Sequence, residues 1–262
     1  MKNIFKIHIT TYIFYILLIL SGYINYLFIF LIIIVTHELG HIFTIYLCKL
    51  RINEIIIYPF GGVIKTNINY NINSNKLLFI SISGVLFQTL LFLIIKDNSS
   101  YTYQIFESLN LSIIIFNLIP IYPSDGNKIL VSILERIQRY KNTLYITNII
   151  SFIFLFIVFI LRKNIFIFIV LYYLNINYFS LTKYIFNKFL LERYLYDKKY
   201  KKNKYINTVN HIYKCRNNCI KCDNIYIEEK KYFQNKFEWI YWQNSHFLII
   251  FIMFVSLSYE PH

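Results

Sequence analysis

The sequence predicts an all-α membrane protein of about six transmembrane helices, and the stretch after the second helix reads as a re-entrant β-hairpin. Three observations lead there. Hydrophobic residues make up 57% of the 262 positions, and the mean hydropathy is +0.48. The apolar residues come in long unbroken runs rather than amphipathic stripes. The chain has only six glycines and four prolines to interrupt them.

Runs near 18 residues with almost no charge are long enough to cross a bilayer as helices. They fall at about 8–23, 26–48, 77–95, 105–121, 144–161 and 164–182. The first leads straight into the second with no small-residue cleavage site between them, so no cleavable signal is expected. Residues 1–182 therefore form a membrane domain, and 183–262 a basic tail. Within the tail a last apolar piece, Phe247–Tyr259, is short for a span and reads as interfacial or packed, with a seventh crossing as the alternative.

The net charge of +14 raises nucleic acid as a partner, but its placement argues against it. With six spans and the N-terminus inside, 24 of the 27 Lys and Arg residues fall in inner segments, leaving Lys96, Arg162 and Lys163 outside. That bias predicts a multi-pass protein of the cell membrane with both termini cytoplasmic. The expected partners are the lipid bilayer, with a secondary role for the basic residues at anionic headgroups, and other membrane proteins, not nucleic acid.

Within the second run lies VTHELGHIF, Val35 to Phe43. His37 and His41 are four apart and share one face of a helix, with Glu38 beside the first. H-E-x-x-H on a helix binds zinc through both imidazoles and uses the glutamate as general base. A chain of this composition would contain the motif by chance about once in two hundred sequences. The alternative is a buried polar cluster that only ties helices together, but such groups are costly in lipid and usually functional.

A hydrolytic zinc site takes three protein ligands and leaves a position for water. Of the four aspartates, Asp97 falls in an outer loop and Asp197 and Asp223 in the tail. Asp125 sits in NLIPIYPSDGNK, where Pro120 and Pro123 break a helix and Gly126 allows an unusual turn. Broken backbone at membrane depth is tolerated where it lines a cavity or is buried in protein, which makes Asp125 the candidate third ligand. Its bland alternative is a helix-end turn acid. The stretch IIIYPFGGVIKTN, Ile55–Asn67, is β-branched and split by Gly61-Gly62. It suits a hairpin that offers a strand edge to an extended substrate, or else an ordinary amphipathic loop.

HELGH in the second span, PFGG after it and NLIPIYPSDG later resemble the site-2 proteases, intramembrane zinc metalloproteases, over about residues 1–200. The wording is most similar to their sporulation branch, which processes a membrane-tethered pro-sigma factor. The resemblance implies one zinc held by His37, His41 and Asp125, Glu38 as the base, and Asn117 as a polar helper near the scissile peptide. It also implies a membrane-tethered protein substrate and membrane regulator proteins. The chain departs from the family pattern at Ser124, at Asn127-Lys128 after the DG, and in SGVLFQ, where Gly84, Val85 and Gln88 replace a Gly-Pro with a later Asn. The tail of about 80 residues is too short and too charged for the nucleotide-sensing CBS domain of many relatives.

In the tail, His211, Cys215, Cys219 and Cys222 could supply four metal ligands, although C-x3-C-x2-C is not the paired C-x2-C of ordinary zinc modules. On a helix the same cysteines form a packing stripe. A disulfide is not expected in a cytosolic tail. Cys48, at a helix end, reads as packing. Two further readings stay open: a catalytically dead relative that only holds a partner, against which Glu38 speaks, and an ion or metal transporter, against which the gathering of polar residues at one site speaks.

Overall fold

The computed structural model describes residues 4–59, 61–95, 101–162, 165–195, 203–222 and 225–233. In chain order the elements are β1 (Phe5–Ile7), α1 (Ile9–Leu20), α2 (Ile24–Leu47), β2 (Ile52–Tyr58), β3 (Gly61–Thr66), α3 (Ser74–Ile94), α4 (Tyr101–Leu118) and α5 (Asp125–Leu134). They continue with α6 (Tyr140–Arg162), α7 (Ile165–Leu195), β4 (Asn203–Ile206), β5 (Asn217–Cys222) and β6 (Ile225–Glu228). The predicted runs thus appear as α1, α2, α3, α4, α6 and α7.

Among the described residues three helices are long and apolar enough to cross a membrane: Ile24–Leu47, Ser74–Ile94 and Tyr140–Leu161. The α1 helix has 12 residues, well short of the roughly 20 that span a bilayer upright. The α4 helix carries Glu107, Asn110 and Asn117, which lower its hydropathy. On α2 the apolar side faces outward, with Ile32, Val35, Leu39 and Phe43 each at least half exposed, while Ile33, His37, Gly40, His41 and Ile45 point inward and are buried. Lipid outside and a polar interior reverse the pattern of a soluble helix.

The fold is mostly helical, and two three-stranded sheets add to the all-α expectation. The hairpin expected around Gly61-Gly62 is the antiparallel pair β2–β3, in register from Ile55 opposite Ile64 to Tyr58 opposite Gly61. A third strand, β1, pairs parallel to β2, and α1 grips the sheet where Thr11 Oγ1 donates to the Ile57 carbonyl at 2.9 Å. The sheet order β1-β2-β3 leaves β3 as an edge strand.

The expected boundary at residue 182 falls inside α7, and among the described residues beyond α7 four apolar side chains pack back onto α6 and α7. Ile206, Ile212, Ile220 and Phe233 join Tyr140 and Leu144 of α6 and Phe186 and Phe189 of α7 in one buried cluster. Strands β4, β5 and β6 form the second sheet over it. Phe247–Tyr259 lies outside the described residues.

Candidate metal centre

The α2 and α3 helices approach closely because each has a glycine at the contact. A Cβ on Gly40 would lie 2.5 Å from the Ser83 carbonyl oxygen, and one on Gly84 would lie 2.5 Å from His41 Nε2 and 2.7 Å from His37 Nε2. Small residues allow this approach between membrane helices, and here they also leave space for the imidazole pair. Gly84→Ala should weaken metal binding by about 10–100-fold with helical content unchanged, as read by metal titration beside circular dichroism, since the added methyl occupies the space of the histidine nitrogens.

Both histidines are held in one tautomer. The His41 Nδ1–H donates to the Ile80 carbonyl of α3 at 2.7 Å, and a carbonyl can only accept. His37 Nδ1 faces Gln88 Oε1 at 3.1 Å. The amide of Gln88 is oriented by its other end, because Nε2 donates to the Asn110 carbonyl at 3.1 Å and to Asn110 Oδ1 at 2.9 Å. Gln88 Oε1 is therefore the acceptor, and His37 Nδ1 carries the proton. In the neutral ring each Nε2 then presents a lone pair. Ligand histidines are commonly oriented this way through the nitrogen that does not bind metal.

Asp125 closes the site from α5, on the far side of the break at Pro120 and Pro123. Its Oδ2 lies 3.0 Å from both Nε2 atoms, which are themselves 3.1 Å apart. Two imidazole lone pairs and a carboxylate oxygen facing one another at this range need a cation between them. Ligands 2.0–2.1 Å from a tetrahedral centre stand about 3.3 Å apart, so the triangle is close to the size zinc requires. Lys128 Nζ donates to the other oxygen, Oδ1, at 2.8 Å and leaves Oδ2 to the histidines.

The break that delivers Asp125 is clamped from α6 and α7. The Tyr122 N–H donates to Ser151 Oγ at 2.9 Å, and Asn175 Nδ2 donates to the Tyr122 carbonyl at 3.4 Å. Ser151 and Asn175 are fully buried and hydrogen-bonded to each other. These bonds satisfy backbone groups that the broken helix leaves unpaired. Gly126 sits where a Cβ would meet the Leu118 and Ile119 carbonyls at 2.4 and 2.6 Å, so the DG sequence is needed for α5 to tuck under the end of α4.

Glu38 is half-buried beside the triangle. Its Oε1 accepts the Gly62 N–H at the hairpin end at 2.7 Å. A side chain on Gly61 or Gly62 would lie 3.0–3.1 Å from the Glu38 carboxylate, which explains the paired glycines. Asn117 stands half-buried in the last turn of α4, and no hydrogen bond joins it to the three candidate ligands. The orienting amide in the site is instead Gln88, backed by Asn110.

The tail cysteines do not assemble a second centre. Among the described residues His37, His41 and Asp125 form the only group of three or more His, Cys, Asp or Glu placed to share a metal ion. Cys219 and Cys222 lie on strand β5, not on a helix, and a spacing of three turns them to opposite faces. The Cys215 thiol contacts Ser74 Oγ at 2.7 Å.

The chain is similar to stage IV sporulation protein FB of Bacillus subtilis (strain 168), with 31% identity over 135 residues, which are 48% of this chain and 47% of that protein. It thus spans about half the length of the curated relative it matches. Among solved structures it is similar to the site-2 protease from Methanocaldococcus jannaschii, with 25% identity, a TM-score of 0.49, and coverage of 68% of this chain and 90% of that one. The profile of Peptidase family M50 matches residues 25–96 and 93–161, which include His37, Glu38, His41 and Asp125. The chain belongs to peptidase family M50.

Proposed function

We propose that the protein is an intramembrane zinc endopeptidase that hydrolyses a peptide bond in or near the membrane segment of a membrane-tethered protein. The observation that carries the reading is the triangle of His37, His41 and Asp125 with Glu38 at its side, set in an outwardly apolar helix. Zinc held by these three residues would supply Lewis acidity, polarising a carbonyl and making water ionisable near neutral pH. Glu38 Oε1 is held by the Gly62 amide, and Oε2 has no hydrogen-bond partner among the described residues. Oε2 accepts a proton from the attacking water and returns it to the leaving nitrogen as the C–N bond breaks.

A helical substrate hides its carbonyls in its own hydrogen bonds and has to be unwound before attack. Strand β3 offers a free edge whose Gly61-Gly62 end touches Glu38, so a segment added along it as a further strand passes the base in extended form. We read the hairpin as re-entrant on this account. His37 lies ten residues before the end of α2, or about 15 Å along the axis, and this nearer end is the side from which we take water to enter. Placing the end on the cytoplasmic side, with both termini, follows from the positive-inside bias, and six crossings follow from the six apolar runs. The substrate class best suited to such a site is a tethered transcription regulator of the pro-sigma kind, in line with the likeness to the sporulation protein.

Co-expression with tagged, single-span membrane-tethered regulators tests the reading. The native chain should release a shortened product, and a zinc chelator should stop the release. Metal-dependent ion uptake without any cleavage would overturn it in favour of transport. Asn117 serves the substrate in this reading, eight residues ahead of Asp125 at the break. Asn117→Ala should lower cleavage by about 10-fold with zinc content unchanged, on the scale of one lost positioning contact. A parallel loss of zinc would make the residue structural.

A further inference from the structure

The helix that begins with Asp125 ends at Glu135, and Glu135 is fully buried. Its two oxygens are committed to two different parts of the chain. Oε1 accepts the Ser74 hydroxyl, on the first residue of α3. Oε2 accepts Lys214 Nζ at 2.8 Å, from the loop before β5, and the Lys214 side chain is only 3% exposed. Lys214 is itself fixed. Its ammonium lies 5.0 Å from the centre of the Tyr140 ring, and its carbonyl accepts from Arg193 of α7 at 2.7 Å. Arg193 is anchored in turn by Glu229, which also accepts from Asn218 Nδ2 at 2.7 Å.

The two helices joined at Glu135 build opposite sides of the metal centre. The α3 helix supplies the Ile80 carbonyl, the space at Gly84 and the amide of Gln88, while α5 supplies Asp125. An unpaired carboxylate is not tolerated in a buried position; it takes up a proton or moves toward water. Movement of Glu135 would carry α5 with it, because ten residues of helix form a rigid rod about 15 Å long. The charge that prevents this comes from outside the helices of the site.

We propose that the Lys214–Glu135 pair is a positioning device, by which the folded C-terminal unit fixes the spacing of α3 and α5 and so holds Asp125 against the histidine pair. Glu135 and Lys214 are positioning residues, and the inference rests on the metal site proposed above.

Titration of the metal-free full chain in detergent with Co2+, followed by visible absorption, tests it without reference to cleavage. Lys214→Met should weaken Co2+ binding by at least about 10-fold and alter the ligand-field spectrum, in the range known for groups behind metal ligands. The double variant Glu135→Gln with Lys214→Met removes both charges and keeps an acceptor for Ser74. It should return binding to within about threefold of native, since the buried pair is replaced and not broken. Native affinity and spectrum in Lys214→Met would overturn the proposal, as would a double variant no better than the single one. If Lys214→Met does not fold, Lys214→Arg keeps the charge and changes only the geometry. It should then show a shifted spectrum, and a native spectrum overturns the proposal. A native chain that takes up no Co2+ would instead refute the metal site itself, so the two failures are distinct.

Discussion

Asp125→Asn should empty the metal centre. Asparagine keeps the shape of the side chain but not its charge, and an amide oxygen is a poor replacement for a carboxylate beside two neutral imidazoles. Lys128 then faces a neutral amide in place of a carboxylate, so its positive charge near the cation is no longer offset by Asp125. Groups that merely support a ligand are worth about 10–100-fold in metal affinity, so loss of a ligand should cost at least about 100-fold. Metal analysis of the purified chain, with chelator competition for the affinity, reads the result directly. Full zinc retention would mean that another residue is the third ligand.

The parts of this site that were legible in the sequence are those written as side-chain exceptions to a strong background. His37, Glu38 and His41 stand out because polar groups four apart interrupt an apolar run. Asp125 stands out because two prolines and a glycine mark a break where a span should continue. The Gly61-Gly62 hairpin was legible from its glycines and β-branched flanks, although nothing in three residues, Phe5–Ile7, announces a third strand. The orienting groups were not legible. The Ile80 carbonyl has no side-chain signature at all. Gln88 showed only as a departure from a family pattern, and its role depends on meeting His37 from 51 residues away. Ser151 and Asn175 look like ordinary polar residues in apolar helices until the broken backbone at Tyr122 is placed against them.

The packing of residues 203–233 onto α6 and α7 was not legible in the sequence. Lysine is the commonest residue in 183–233, and the apolar positions Ile206, Ile212 and Ile220 are too widely spaced to form a run. Each is buried only because α6 and α7 supply the other half of the cluster. Hydrophobic periodicity cannot show a core whose partners lie elsewhere in the chain. The cysteine spacing misled in a related way. A stripe at helical period is meaningless on strand β5, where alternate residues share a face.

Glu38→Gln should abolish cleavage and leave zinc in place. Glutamine is nearly the same size and still accepts the Gly62 N–H through its carbonyl oxygen, so the hairpin contact survives. The proposed ligands are untouched, because His37, His41 and Asp125 are oriented by Gln88, Ile80 and Lys128, not by Glu38. What is lost is a basic oxygen able to take a proton from water and return it to nitrogen. A positioned acid–base group is worth about 10²–10⁴-fold, or about 3–5 kcal/mol of barrier. Activity of the native and Glu38→Gln chains against one tethered substrate, with zinc measured on the same samples, gives the comparison. Loss of both activity and zinc would make Glu38 a structural group. Cleavage that survives with zinc retained would exclude Glu38 as the base, and the free Oε2 beside the triangle would need another explanation.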